Sequence, residues 1–225
     1  MYDPHADESP FNALPPVVVV LALIMGVNEL MMQAGDRGMF GVPPRIVFFE
    51  DYAFLPAVWD FMITRGLFPL EHLMRFITFP FIHGSFTHAA FAIVIVLAIG
   101  KAVGEIFSSV AFLAVFFLSS IFGAMVYGTL VSVNAPLIGG YPGAYGLIGA
   151  FTFLLWVNLA AVGANSMRAF SLIGVLLGIQ LVFGILFGAG LDWIADIAAF
   201  VAGFGLSFVL SPGGWSRVLE KFRRD

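Results

Sequence analysis

The sequence predicts an all-α membrane protein of six transmembrane helices, on three observations. Of its 225 residues, 60% are hydrophobic and 11% charged, against about 45–50% and about 25% in a soluble domain. Mean hydropathy is +1.00. The apolar residues gather into runs near the ~20 residues that a helix needs to cross a hydrocarbon core about 30 Å thick. Cysteine is absent, which excludes disulfides, thiol catalysis and thiolate metal sites. The net charge of −4 is spread over tails and loops, and nothing in it points to nucleic acid.

Residues 1–13 read as an acidic tail. The opening stretch MYDPHADESPFNALPP holds three acids and no Lys or Arg. It lacks the positive n-region of a secretory signal, so the first span is expected to be retained. Residues 14–210 read as one membrane domain. Pro15 and Pro16 start its first span, which runs to about Gln33 with Asn28 and Glu29 in its final turns. Glu29 is expected at the far interface or facing protein, interfacial and solvated being the plainer reading.

From Ala34 to about Arg75 charges, Gly, Pro and aromatics mix (Phe48, Phe49, Tyr52, Phe54, Trp59, Phe61). Loops beyond about 12–15 residues are usually functional or disordered, and the aromatic content argues against disorder. A structured segment in the membrane interface is the expectation, since aromatic rings are favoured there. The second span, Phe79 to Gly104, organises the rest. It carries His83 and His88 near its start and is apolar from there to Lys101. Five residues apart, both are expected in its first turns, near one membrane surface. Imidazoles at that depth face protein or a water-filled cavity and signal a functional site.

The third span runs from Ile106 to about Val133, the fourth from Tyr141 to about Val162, the fifth from Arg168 to about Gly188. The sixth covers Leu191 to about Leu210, and residues 211–225 form a basic tail. Lys and Arg in short loops set orientation. With the N-terminus inside, the inner side holds Lys101, Arg168, Arg217, Lys221, Arg223 and Arg224, and the two short outer loops hold none. Both termini are then cytoplasmic and the histidines lie towards the outer face.

Three further features bear on chemistry. Gly139-Gly140-Tyr141-Pro142-Gly143-Ala144-Tyr145-Gly146 enters the fourth span. Its glycines permit close backbone approach, and Pro142 suits a first helical turn. Gly143, Gly146, Gly149 and Ala150 form a small-residue face, and Ala199 and Gly203 form another in the last span, so these two helices are expected to pack closely. That pairing brings Tyr141 near Asp196. Asp196 itself, about one turn into the last span, is costly in hydrocarbon and must face the bundle; a buried carboxyl hydrogen-bonded to a neighbouring helix is the plainer reading.

Taken together, Glu71-His72-Leu73-Met74-Arg75-Phe76, His83-x4-His88, Gly104-Glu105, the glycine-rich entry and Ala195-Asp196-x2-Ala199-x3-Gly203 resemble the rhomboid intramembrane serine proteases. The resemblance covers about residues 15–210 and implies a six-span rhomboid-like bundle with a long interfacial loop after the first helix. It also implies a serine nucleophile opening span four, a histidine base in span six and oxyanion donors from span two.

At the catalytic centre the match fails. The family's Gly-x-Ser-Gly falls on Gly140-Tyr141-Pro142-Gly143, putting Pro142 in the serine's place; framed on Tyr145-Gly-Leu-Ile-Gly, Tyr141 takes it instead. The base position is Asp196. The family's His-x4-His-x3-Asn reads His83, His88 and Ala92, so the amide donor is missing too. Ser85 and Thr87 lie on what is the oxyanion side in the family. Proline has no nucleophilic atom, and a tyrosine hydroxyl with pKa about 10 is poor at peptide acyl transfer.

The expectation is therefore a pseudoprotease of a bacterial inner (plasma) membrane, contacting lipid and recognising transmembrane helices of other membrane proteins without cleaving them, with no cofactor. In place of a reactive dyad, Asp196 is expected to accept a hydrogen bond from Tyr141 or His88. Two alternatives come from other classes: an active serine-type endopeptidase with unconventional residues, and a metal or proton site of His83, His88 and Asp196.

Overall fold

A computed structural model describes residues 14–133, 135–187 and 190–213, of which 180, 181 and 183–187 by their backbone. The acidic tail expected at 1–13 and the basic positions Arg217, Lys221, Arg223 and Arg224 lie outside the described residues.

The described residues are helical with short connections. Helix α1 spans Pro16–Asp36, α2 Arg45–Tyr52, α3 Pro56–Arg65, α4 Leu70–Thr78, α5 Phe86–Gly104 and α6 Ser109–Leu130. Then come α7 at Tyr141–Ala161, α8 at Ser171–Phe187 and α9 at Trp193–Leu210. Five of these, α1, α5, α6, α7 and α9, are long and apolar enough to cross a membrane. The fifth expected span corresponds to α8, which has 17 residues and follows a 3-10 turn at Ser166–Phe170; it is shorter than the other five, so the fold is an all-α membrane protein with five helices of spanning length among the described residues.

The long segment after α1 is structured, as expected. Its prolines punctuate it: Pro44 precedes α2, Pro56 opens α3 and Pro69 precedes α4. Proline's fixed φ suits the start of a helix, where its missing N–H is not needed. Gly66, at φ 65°, ends α3 in the left-handed conformation, a backbone that glycine adopts without a Cβ penalty. Arg75 then pins the segment from α4, donating to the carbonyls of Ala53 (2.8 Å) and Glu50 (2.7 Å). Phe54 and Leu137 exchange backbone hydrogen bonds of 3.1 and 2.8 Å, which ties the segment to the loop before α7.

Two apolar clusters hold the bundle together. Val18, Met25, Ala92, Val96, Phe112, Phe116, Ala144 and Leu147 bury themselves between α1, α5, α6 and α7. Phe54, Met62, Phe76, Phe79 and Tyr127 form the second, between the long segment and α6. The predicted contact of the fourth and sixth spans is the most extensive helix pair, α7 on α9. A Cβ on Gly203 would sit 2.0 Å from the Gly146 carbonyl oxygen, and one on Gly149 2.2 Å from that of Phe200. These backbones touch because neither side carries a side chain there.

The organising helix is shorter than its apolar run. Phe79–Phe81 form a 3-10 turn around Pro80, residues 82–85 leave the helix, and α5 begins only at Phe86. Ser85 is its N-cap, its hydroxyl accepting the His88 N–H at 3.2 Å, the usual way to satisfy an orphan donor of the first turn. Hydropathy could not register this break, because Phe79, Phe81 and Ile82 are as apolar as the helix that follows. His83 consequently lies in the connection rather than in the first turn, where His88 remains.

Candidate functional site

The two histidines meet the entry of α7. His83 is fully buried, and its Nε2 accepts the Gly140 N–H at 3.4 Å. An accepting ring nitrogen carries no proton, so the proton of His83 sits on Nδ1, with the Phe81 carbonyl nearby but outside good hydrogen-bond geometry. His88 uses the opposite nitrogen: its Nδ1 accepts the Gly84 N–H at 3.1 Å. Both imidazoles are thus neutral acceptors of backbone donors, and each rigidifies a short stretch of irregular chain.

The rings also touch one another and the start of α7. His83 meets His88 edge to face, with centroids 5.5 Å apart and planes at 78°. His88 stacks on Tyr141, with centroids 5.0 Å apart and planes at 14°. The glycine pair before Tyr141 makes room for this. Gly139 has φ +95°, and a Cβ on it would lie 2.8 Å from His88 Cε1; a Cβ on Gly140 would lie 2.6 Å from Met25 Cε.

Tyr141 opens α7 with Pro142 second and buried, and Asp196 lies buried in the first turn of α9. Tyr141 and Asp196 both lie at the start of helices that pack closely on one another, α7 on α9, as the small-residue faces predicted of the helix pair. Ala92 is buried in the apolar core. Thr87 is exposed and Ser85 serves as helix cap. Among the described residues no group of three or more His, Asp or Glu side chains is placed to hold a metal ion, so the metal reading of His83, His88 and Asp196 gains no support from the geometry.

Nearby, the plainer reading of Glu29 gives way to its alternative. Glu29 is not solvated but faces protein, 2% exposed. Its carboxylate pairs side by side with Arg45, Nη2 to Oε1 at 2.8 Å and Nη1 to Oε2 at 2.9 Å, and accepts from Gln33 at 3.3 Å. Burying a carboxylate demands such a partner, and the long segment supplies one. Arg45 further donates from its backbone N–H (2.8 Å) and Nε (3.0 Å) to Asp36, and from Nη1 to the His83 carbonyl. The hydrogen bond to Glu29 holds the Arg45 guanidinium more firmly protonated, against the desolvation that opposes it. The sequence held a hint: a carboxylate in an apolar run must find a cation or donor. It did not say which of the four arginines in the next stretch would come back to it.

Comparison with known proteins agrees with this architecture. The Rhomboid domain family model matches residues 70–213, from the start of α4 past the end of α9, and the chain belongs to the rhomboid family. With its apolar helices, it is an integral membrane protein. It is similar to Rhomboid-like protease 3 of Toxoplasma gondii, at 25% identity over 154 residues that take in 68% of this chain and 54% of that protein. The chain thus spans about half the length of the curated relative it matches.

Proposed function

We propose that this protein is a proteolytically inactive rhomboid that recognises transmembrane segments of other membrane proteins. The observation that carries this reading is the stack of His88 on Tyr141 at the mouth of α7. In our alignment the nucleophile belongs at Tyr141 or, in the other frame, at Pro142, and the base at Asp196. An aromatic ring lying flat on the imidazole fills the space above it. The residue after Tyr141 is a buried proline with no nucleophilic atom. The base position holds a carboxylate, and the hydroxyl at Tyr141, with an ordinary pKa of about 10, is a poor nucleophile for acyl transfer at neutral pH. Ala92 offers no amide to an oxyanion. Asp196 accepting from Tyr141 gives an inert polar pair in place of a reactive one.

Around this centre we read α8 as a sixth span, both termini as cytoplasmic, and residues 14–210 as a single membrane domain between an acidic and a basic tail. A bacterial inner membrane fits the orientation argument from Lys101 and Arg168. Lipid and the helices of other membrane proteins are the partners this arrangement suits, by analogy with the family.

The relative from Toxoplasma gondii is named a protease, and this favours a second reading, an active serine-type endopeptidase with unconventional residues. Cleavage of a model single-span substrate in reconstituted membranes separates the two. If the protein is inactive, variants restoring Ser at 141 or 142 with His at 196 are the natural companions, and crosslinking identifies helix partners.

A further inference from the structure

The buried pair of Glu29 and Arg45 has no part in the reading above. It joins three pieces of chain that are far apart in sequence. Glu29 belongs to α1, Arg45 is the first residue of α2, and the His83 carbonyl lies in the connection before α5. Side-by-side pairing of a guanidinium with a carboxylate fixes both distance and plane, and here one of the paired nitrogens, Nη1, also donates to His83. The backbone of His83 is thereby held at the height of Glu29.

From that carbonyl the contacts continue inward. The His83 ring accepts from Gly140, the next residue, Gly84, donates to His88, and His88 stacks on Tyr141. The connection at 82–85 is tied to helical turns only at its ends, Ile82 N–H to the Phe79 carbonyl and Ala89 N–H to the Ser85 carbonyl, so the position of His83 and Gly84 between them depends on what holds the connection at either side. Arg45 holds it on the side of the long segment, and the two imidazoles hold it on the side of α7.

We propose that Arg45, oriented by Glu29, is a positioning residue for the site: it sets the backbone at His83 and through it the stack of His88 on Tyr141. The long segment after α1 is then coupled to the mouth of α7 through one guanidinium. This holds whether the protein cleaves its partners or only binds them. Asp36 is peripheral to the coupling. It binds Arg45 on the opposite edge of the guanidinium and is 42% exposed in its side chain.

The test is ¹³Cε1-histidine NMR of the full chain in lipid nanodiscs, with the His88 resonance assigned by His88→Asn. Stacking on Tyr141 places that resonance in the ring current, and Tyr141→Leu gives its unstacked position. Arg45→Met and Glu29→Gln are expected to move the His88 resonance towards the Tyr141→Leu value. Arg45→Lys, which keeps the charge but lacks the planar fork, is expected to move it part of the way, and Asp36→Asn to leave it in place. A merely structural pair would lower the melting temperature without moving the resonance, and that result overturns the proposal. Should either single variant fail to fold, the double variant Glu29→Met/Arg45→Met removes both buried charges together, an exchange that proteins often tolerate. Its His88 resonance is expected to shift as well, and an unmoved one overturns the proposal equally.

Discussion

At the scale of single residues, the site is built from contacts that Tyr141 and two glycines permit. Tyr141→Phe keeps the ring on His88 and removes only the hydroxyl that our proposal pairs with Asp196, while Tyr141→Leu removes the stack. We expect Tyr141→Phe and Asp196→Asn each to lower thermal stability in detergent, by about 1 kcal/mol for a lost hydrogen bond. Unchanged melting temperatures for both would contradict the Tyr141–Asp196 pairing. Gly139→Ala is expected to cost more than about 1 kcal/mol, since it strains a left-handed backbone and drives a methyl against His88. Losing Arg45 is expected to cost about 3–5 kcal/mol, because the buried Glu29 carboxylate is left uncompensated, and losing Glu29 less, because Arg45 keeps Asp36; a double-mutant cycle on denaturant melts checks it. Most of these residues could be singled out from the sequence. His83, His88, Tyr141, Pro142 and Asp196 stood out because polar or backbone-distorting groups in apolar runs need a reason. Arg45 did not, since it is one basic residue among several in a mixed segment and only folding brings it back to α1.

At the scale of helices, the contact of α7 with α9 carries the arrangement. Gly203→Ala places a methyl 2.0 Å from a backbone oxygen that cannot rotate away. A loss of about 1–3 kcal/mol or more is expected, the usual cost of overpacking. Gly205→Ala, two residues along the same helix, meets nothing within 4 Å and is expected to be neutral or to stabilise by about 1 kcal/mol or less. Thermal unfolding of the pair in detergent reads the contrast directly, and equal effects would place the α7–α9 contact elsewhere. This packing was legible beforehand because small residues at helical spacing have one common use between membrane helices. The break at residues 82–85 was not, although Pro80 lies just before it and Gly84 and the capping Ser85 within it. In a run where every residue but a few is apolar, hydropathy measures length and not continuity.

For the molecule as a whole, the chain belongs to the rhomboid family, and we propose that its centre is rebuilt. Among its described residues are five helices of spanning length, two imidazoles in edge-to-face contact with one of them stacked on Tyr141, and a buried aspartate in the first turn of α9. Fold and chemistry separate here: the helix contacts depend on glycines and apolar volume, a reaction would depend on a few side chains, and it is at those that our proposal sets the protein apart from the proteolytic pattern. The architecture could therefore be read from composition and spacing, while loss of activity is an inference from particular atoms. The most direct measurement is cleavage of a model single-span substrate by the natural protein in reconstituted membranes, beside an active rhomboid. The account predicts no product while the control cleaves. Cleavage that disappears in His88→Ala, Asp196→Asn or Tyr141→Phe would contradict it and make these residues the parts of an unconventional protease.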